Sequence, residues 1–238
     1  MSALYVLESR HDPRMRHLLE AATGAAVRTI TVPRERLDRL AGTARHQGVV
    51  AMVSGAAPRA DLDAILDGLS EPALLLALDG VQDPHNLGAC LRIADGLGAH
   101  AVIAPKDRSV GITPTVTKVA SGAVETVPYV AVTNLARTLR SLQDRGIRVV
   151  GADAAGARTL HEADVRGPVT WVLGAEGTGL RRLSRETCDE VIRIPLLGSV
   201  ASLNVSVACG ICLYESRRQR AGHDRSEDRL VPGDKSRI

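Results

Sequence analysis

Along this chain, short apolar runs alternate with stretches in which apolar residues recur every three or four positions, the pattern of strands alternating with helices. Residues 4–8 (LYVLE) predict a strand, and Asp12-Pro13 supplies an N-cap and first-turn proline for a helix that runs to about Thr23 and ends at Gly24. VRTITV (27–32) predicts a second strand, PRERLDRLAG a second helix, and HQGVVAMVS a strand near 49–53. Residues 1–55 thus read as a small α/β unit. Small residues and prolines, with one short acidic amphipathic turn, mark 56–72 as a linker.

Beyond it the apolar runs become nearly continuous, as in strands buried on both faces of a parallel sheet: LLLALDG (74–80), HAVIAP (100–105), IRVVGAD (147–153), VTWVLGAEG (169–177) and VIRIPL (191–196). Helical stretches fill the gaps: Asn86–Gly98, Thr115–Val124, Thr133–Arg145, Leu180–Cys188 and Leu203–Arg220. Residues 73–220 therefore predict a layered α/β domain, and the polar, turn-rich 221–238 a flexible tail.

Composition narrows the function classes. No run approaches the roughly 18 apolar residues of a membrane span, and no apolar signal follows a basic leader, so the expected location is the cytoplasm. The four cysteines lie in apolar or helical patterns; Cys209 and Cys212 have no second pair to complete a tetrahedral site, and neither a disulfide frame nor a metal is expected. The net charge is only +3, but Arg10, Arg14, Arg16, Arg28, Arg34, Arg36, Arg39, Arg45 and Arg59 crowd the first sixty residues. Guanidinium binds phosphate bidentately, which suits an RNA partner, although a solvated arginine-rich face fits the pattern equally. With no Phe, one Trp and three Tyr, a base-stacking platform is not expected.

Ligands of open α/β sheets sit outside the carboxyl ends of the strands. Three strand-terminal loops stand out there: Asp79 to Ala89, Gly174 to Gly179, and Pro195 to Asn204. Each combines glycines with amides, acids or hydroxyls able to fix a polar ligand. Their sequences, DPHNLGACLRIAD, VLGAEGTGL and IPLLGSVASLNVSVA, resemble in order, spacing and strand context the three motifs of the SpoU (TrmH-like) family of RNA 2′-O-ribose methyltransferases. The resemblance covers residues 73–220 closely and 1–55 more loosely, as that family's RNA substrate-binding domain. PKDRS, VTNLART and GAEGTGLRRL look most like the branch that methylates a guanosine ribose of 23S ribosomal RNA.

The resemblance implies a mostly parallel α/β domain tied into a deep trefoil knot, S-adenosylmethionine bound bent within it, a substrate of 23S rRNA or a large-subunit precursor, and a homodimer whose interface completes the site. Gly174, Ile194 and Leu203 match the positions that cradle the methyl donor through backbone groups. Asn86, Arg92, Glu176 and Asn204 match the polar residues assigned to catalysis, with Ser202 beside them. Arg92 lies about one and two-thirds helical turns past Asn86. A guanidinium gives up its proton very reluctantly, so this residue is better suited to gripping a phosphate and stabilising oxyanion charge than to taking a proton.

Each residue also has a plainer reading: Asn86 and Asn204 as helix caps, Glu176 as a turn acid, Arg92 as a surface cation. A nucleotide-dehydrogenase reading fits poorly, because GAEGTG spaces its glycines G-x-x-G-x-G and falls late in the domain. A non-catalytic RNA-binding protein and a transfer-RNA methyltransferase remain as alternatives. Relative to the family, the N-terminal unit starts about twenty residues late, either genuinely or through a misplaced start; if the unit is truly short, weaker RNA binding is expected.

Overall fold

The computed structural model describes residues 3–42, 44, 46–52 and 60–227, in two compact units, Met1–Pro58 and Arg59–Ile238. Arg45, Arg59, residues 56–59 of the expected linker and the expected tail from 228 onward lie outside the described residues.

The first unit is a three-stranded sheet, ordered β2-β1-β3, with β1 (Ala3–Leu7) parallel to β2 (Thr29–Val32) and antiparallel to β3 (Val49–Met52). Helix α1 (Pro13–Gly24) begins as expected: Asp12 Oδ1 accepts from the backbone N–H of Arg14 and Met15 at 3.0 and 3.1 Å, and Pro13 occupies the first turn. Met15 and Ala22 of α1 bury Leu4 and Val6 of β1. α2 (Arg34–Ala41) stops at Gly42, which turns left-handed at φ 63°. Arg14, Arg16, Arg28, Arg34, Arg36 and Arg39 are all exposed.

The second unit opens with α3 (Leu62–Asp67) and builds a seven-stranded parallel sheet. Its elements are β4 (Leu74–Asp79), α4 (Pro84–Gly96), β5 (Ala101–Pro105), α5 (Pro114–Ala120), α6 (Ala123–Thr126), β6 (Tyr129–Val132), α7 (Leu135–Asp144), β7 (Arg148–Ala152) and β8 (Arg158–Thr159), then β9 (Val169–Gly174), α8 (Arg182–Thr187), β10 (Glu190–Arg193) and α9 (Val205–Glu227). The order across the sheet is β6-β5-β4-β9-β7-β10-β8. Period-two alternation assigns each face its own core: Leu74, Leu76, Leu78 and Trp171 join α4 and α9 on one side, while Leu75, Ala77, Ile103 and Val149 meet Leu139 and Leu142 of α7 on the other. Each fully buried leucine contributes about 1.5–3 kcal/mol.

Helix α9 is clamped at the amino edge of the sheet. The Arg220 guanidinium donates to the carbonyls of Arg166, Pro72, Ala73 and Gly167 at 2.9–3.0 Å, and Arg217 bonds Leu97 O, Gly98 O and Glu71. Trp171 Nε1 donates to Ser216 Oγ at 2.9 Å inside the core.

The structure departs from the sequence reading at several places, among them the unforeseen two-residue edge strand β8. Strand β6 was not foreseen: it is an edge strand of four residues introduced by Pro128, too short to carry a periodic signal. The helix expected over 115–124 is two helices, parted by Ser121 and Gly122 at φ 53° and 99°. Residues 60–72 are not a spacer, because Ala60, Leu62, Ile65, Leu66 and Leu69 pack against the second core. Helix α9 continues past Arg220 to Glu227. Among the described residues, no helix is long and apolar enough to cross a membrane.

Candidate active site at the carboxyl edge of the sheet

Because all strands of the large sheet run parallel, the loops after β4, β9 and β10 emerge at one edge. Asp83, not Asn86, caps α4, its Oδ1 accepting from His85 N–H at 2.8 Å. Asn86 is thereby left three residues inside the helix with its amide free to point elsewhere. Asn204 does cap α9, its Oδ1 accepting from the backbone N–H and hydroxyl of Ser206 at 2.9 and 2.6 Å. Those donors fix the amide's orientation and turn its Nδ2 toward the other two loops.

The result is a closed triangle of side chains. Asn204 Nδ2 donates to Asn86 Oδ1 at 2.9 Å and to Glu176 Oε1 at 2.6 Å, and Asn86 Nδ2 donates to Glu176 Oε2 at 3.4 Å. Residues separated by 118 positions along the chain thus meet around one carboxylate. Glu176 also lines a pocket of about 390 Å³, together with Gly174, Ile194, Ser202, Leu203 and Asp153. The three positions matched to donor binding, Gly174, Ile194 and Leu203, therefore share one cavity.

Glycine at 174 is obligatory: a Cβ there would lie 2.0 Å from the backbone of Gly179. The loop between them turns on Gly177 and Gly179, at φ 76° and 64°.

Two acids that sequence reasoning passed over hold this loop. Asp79, buried at the end of β4, accepts from Arg181 N–H at 3.0 Å. Asp153, at the end of β7, accepts from Leu180 N–H at 3.3 Å and pairs with Arg185 at 2.5 Å. Burial pushes the Asp153 carboxyl up, but hydrogen bonds from Ala155 N–H, Arg185 and Leu180 N–H outweigh it and hold the group below the usual carboxylate range. The available signal was an acid closing a buried strand, in ALLLALD and VVGAD.

Arg92 stands apart. It is exposed on α4, and among the described residues it makes no hydrogen bond or ion pair with the triangle. Cys209 and Cys212 are fully buried in the core; neighbouring Cys90 and burial raise the Cys209 thiol, and burial alone raises that of Cys212. Among the described residues, no group of three or more His, Cys, Asp or Glu side chains is placed to hold a metal.

Comparison with known proteins agrees with this geometry. Residues 73–214 match the SpoU rRNA methylase family, and residues 1–59 match the RNA 2'-O ribose methyltransferase substrate-binding family. The chain is 60% identical over 218 residues to the 23S rRNA (guanosine-2'-O-)-methyltransferase RlmB of Ralstonia nicotianae, covering 92% of this chain and 88% of that protein. Among solved structures, it is similar to the SpoU methyltransferase AviRb from Streptomyces viridochromogenes in complex with AdoMet, with 28% identity, a TM-score of 0.79, and coverage of 92% of this chain and 83% of that one. The A. aeolicus TrmH/SpoU tRNA modifying enzyme matches at 29% identity and a TM-score of 0.60, covering 66% of this chain and 80% of that one. The matched stretch spans the three loops that build the pocket and the side-chain triangle, and the chain belongs to the SpoU rRNA methylase family.

Proposed function

We propose that this protein transfers a methyl group from S-adenosylmethionine to the 2′-hydroxyl of a guanosine ribose in 23S rRNA, in the cytoplasm. The observation that carries the reading is the Asn86–Glu176–Asn204 triangle set against the pocket. Similarity over 92% of the chain to RlmB, against 66% for the tRNA modifying enzyme, favours rRNA over tRNA. The chain's match to a substrate-binding family at 1–59 supports RNA docking by the first unit.

The pocket suits the donor. Leu173, Ile194, Leu196, Leu203 and Val205 offer apolar walls for a purine, and the glycine-rich 174–179 loop offers backbone groups for its polar edge. When bound, S-adenosylmethionine supplies an electrophilic methyl group for attack by the ribose oxygen. Gly174, Ile194 and Leu203 would hold it. Glu176, fixed by two amides, places negative charge at the pocket wall where a cationic ligand is oriented. Asn86 and Asn204 keep that carboxylate in place. Arg92 binds the phosphate beside the target ribose through its guanidinium and stabilises charge growing on its oxygen.

A trefoil knot belongs to the same reading. Its support is that the chain leaves β10, beyond β7, and returns to lay α9 against α4 and β9. Gly156 also passes so close to Ile192 that a Cβ would lie 2.2 Å from its backbone. A homodimer is supported by Val207 and Tyr214, which are exposed seven residues apart on α9.

The test incubates the purified protein with labelled S-adenosylmethionine and either a 23S rRNA transcript or tRNA, followed by digestion to nucleosides. We expect label in 2′-O-methylguanosine from 23S rRNA. Arg92→Ala should abolish transfer while donor binding, measured by calorimetry, persists. Label absent from ribose, or an active Arg92→Ala protein, refutes the reading.

A further inference from the structure

Cations in the second unit fall into two populations. Every described arginine from Arg145 to Arg220 is engaged, in an ion pair or with backbone carbonyls. From Arg92 to Arg140 none of the described lysine and arginine side chains is ion-paired, and among these side chains only that of Lys106 has a hydrogen bond, 3.4 Å to Thr133 Oγ1. Three of this second group sit where the topology brings them to the carboxyl edge. Lys106 follows the last residue of β5, and its N–H donates to Val132 O at the end of β6. Arg108 lies in the loop beyond it. Arg137 stands in the first turn of α7, which Asn134 caps by accepting the Arg137 N–H at 3.0 Å.

That loop is joined to the loop leading into the helix that carries Asn86, because Val110 N–H donates to Val81 O at 3.0 Å. All three side chains belong to exposed residues. Arg108 holds φ at 61°, a left-handed conformation costing a non-glycine residue on the order of 1 kcal/mol, and such strain concentrates at functional positions. Asp107, between two of the cations, pairs with neither among the described residues. Desolvated or paired arginines serve the fold; exposed unpaired ones beside a catalytic edge are free for phosphate.

Resting on the methyltransferase reading, we infer that Lys106, Arg108 and Arg137 form a strip that binds the RNA backbone flanking the target nucleotide. From β4 to β6 it extends about 10 Å, two strand spacings, away from the triangle. It sits on the catalytic unit itself, separate from the substrate-binding unit, so it positions the target ribose. It adds sequence-independent affinity for the RNA backbone beside that ribose, and it carries no base specificity.

The experiment compares the full chain with the triple variant Lys106→Ala, Arg108→Ala, Arg137→Ala. The control is Arg166→Ala, an ion-paired arginine at the opposite edge of the sheet. Affinity for a 23S rRNA transcript is measured across salt concentrations, alongside methyl-transfer kinetics. The strip predicts that the slope of log K against log salt becomes shallower by about 2, as expected for three lost phosphate contacts on single-stranded RNA. KM for RNA should rise about tenfold or more, with kcat within twofold and donor binding unchanged. A triple variant whose slope and KM match those of Arg166→Ala overturns the strip. A wild-type protein that transfers no methyl group to ribose overturns the functional reading, and the strip with it.

Discussion

Asn204 has two duties that one substitution can separate. Its Oδ1 caps α9, while its Nδ2 holds Glu176 at 2.6 Å and Asn86 at 2.9 Å. Asn204→Asp keeps the acceptor and is as good a cap as asparagine, with the added benefit of negative charge at a helix amino terminus. It removes both donors and sets a second carboxylate against Glu176. Two such charges about 4 Å apart repel by about 1 kcal/mol in water and about 4 kcal/mol at an effective dielectric of 20. Glu176 and Asn204 are exposed, which places the cost toward the lower figure and lets the side chains part. The expected outcome is a melting temperature within about 4 °C of wild type, since 1 kcal/mol shifts a chain of this size by about 2–4 °C. Methyl transfer to 23S rRNA should nevertheless fall by about a hundredfold or more, the scale seen when a group organising a transition state is removed. Asn204→Ala, by contrast, loses the cap as well and about 1 kcal/mol of stability. An aspartate variant with wild-type turnover would show that the triangle is only a cap with incidental neighbours, and the catalytic role assigned to it would fall.

Gly174→Ala should lose donor binding, because its Cβ would lie 2.0 Å from the Gly179 backbone and the pocket wall must move; calorimetric titration with S-adenosylmethionine checks this, and unchanged affinity would contradict it. Arg220→Met strips four carbonyls of a charged donor, and with the site part solvated the loss should be about 2–4 kcal/mol in urea unfolding. Hydrogen bonding from Arg217 and from His100 lowers the Glu71 carboxyl to about 2, despite the opposing effect of burial. A lowered folded pKa stabilises above the unfolded value and is lost as pH falls from about 4.5 toward 2, so Glu71→Gln should flatten the stability profile in that window, as read by urea melts at pH 5, 4, 3 and 2.

The parts of the fold that the sequence made plain were those in which one local signal sufficed. Continuous apolar runs of five or six residues gave β4, β5 and β9, and Asp12-Pro13 gave the start of α1. Hidden features depended on tertiary context. YVAV becomes a strand only because β5 offers it an edge, and residues 60–72 join the core only because their leucines find the face carrying Leu75. The candidate site divides in the same way. Gly174, Ile194 and Leu203 were placed together through motif resemblance, and the cavity unites them; Asp79 and Asp153 were missed because an acid at a strand end carries no periodic signal. The plain reading of Asn204 as a cap leaves room for the proposed functional one. The hydrogen bond that makes it a cap is also what aims its amide at Glu176, so at this position local helix chemistry orients the catalytic candidate. Asn86 shows the complementary arrangement: with Asp83 taking the cap, its side chain is released to face a loop ninety residues away in sequence.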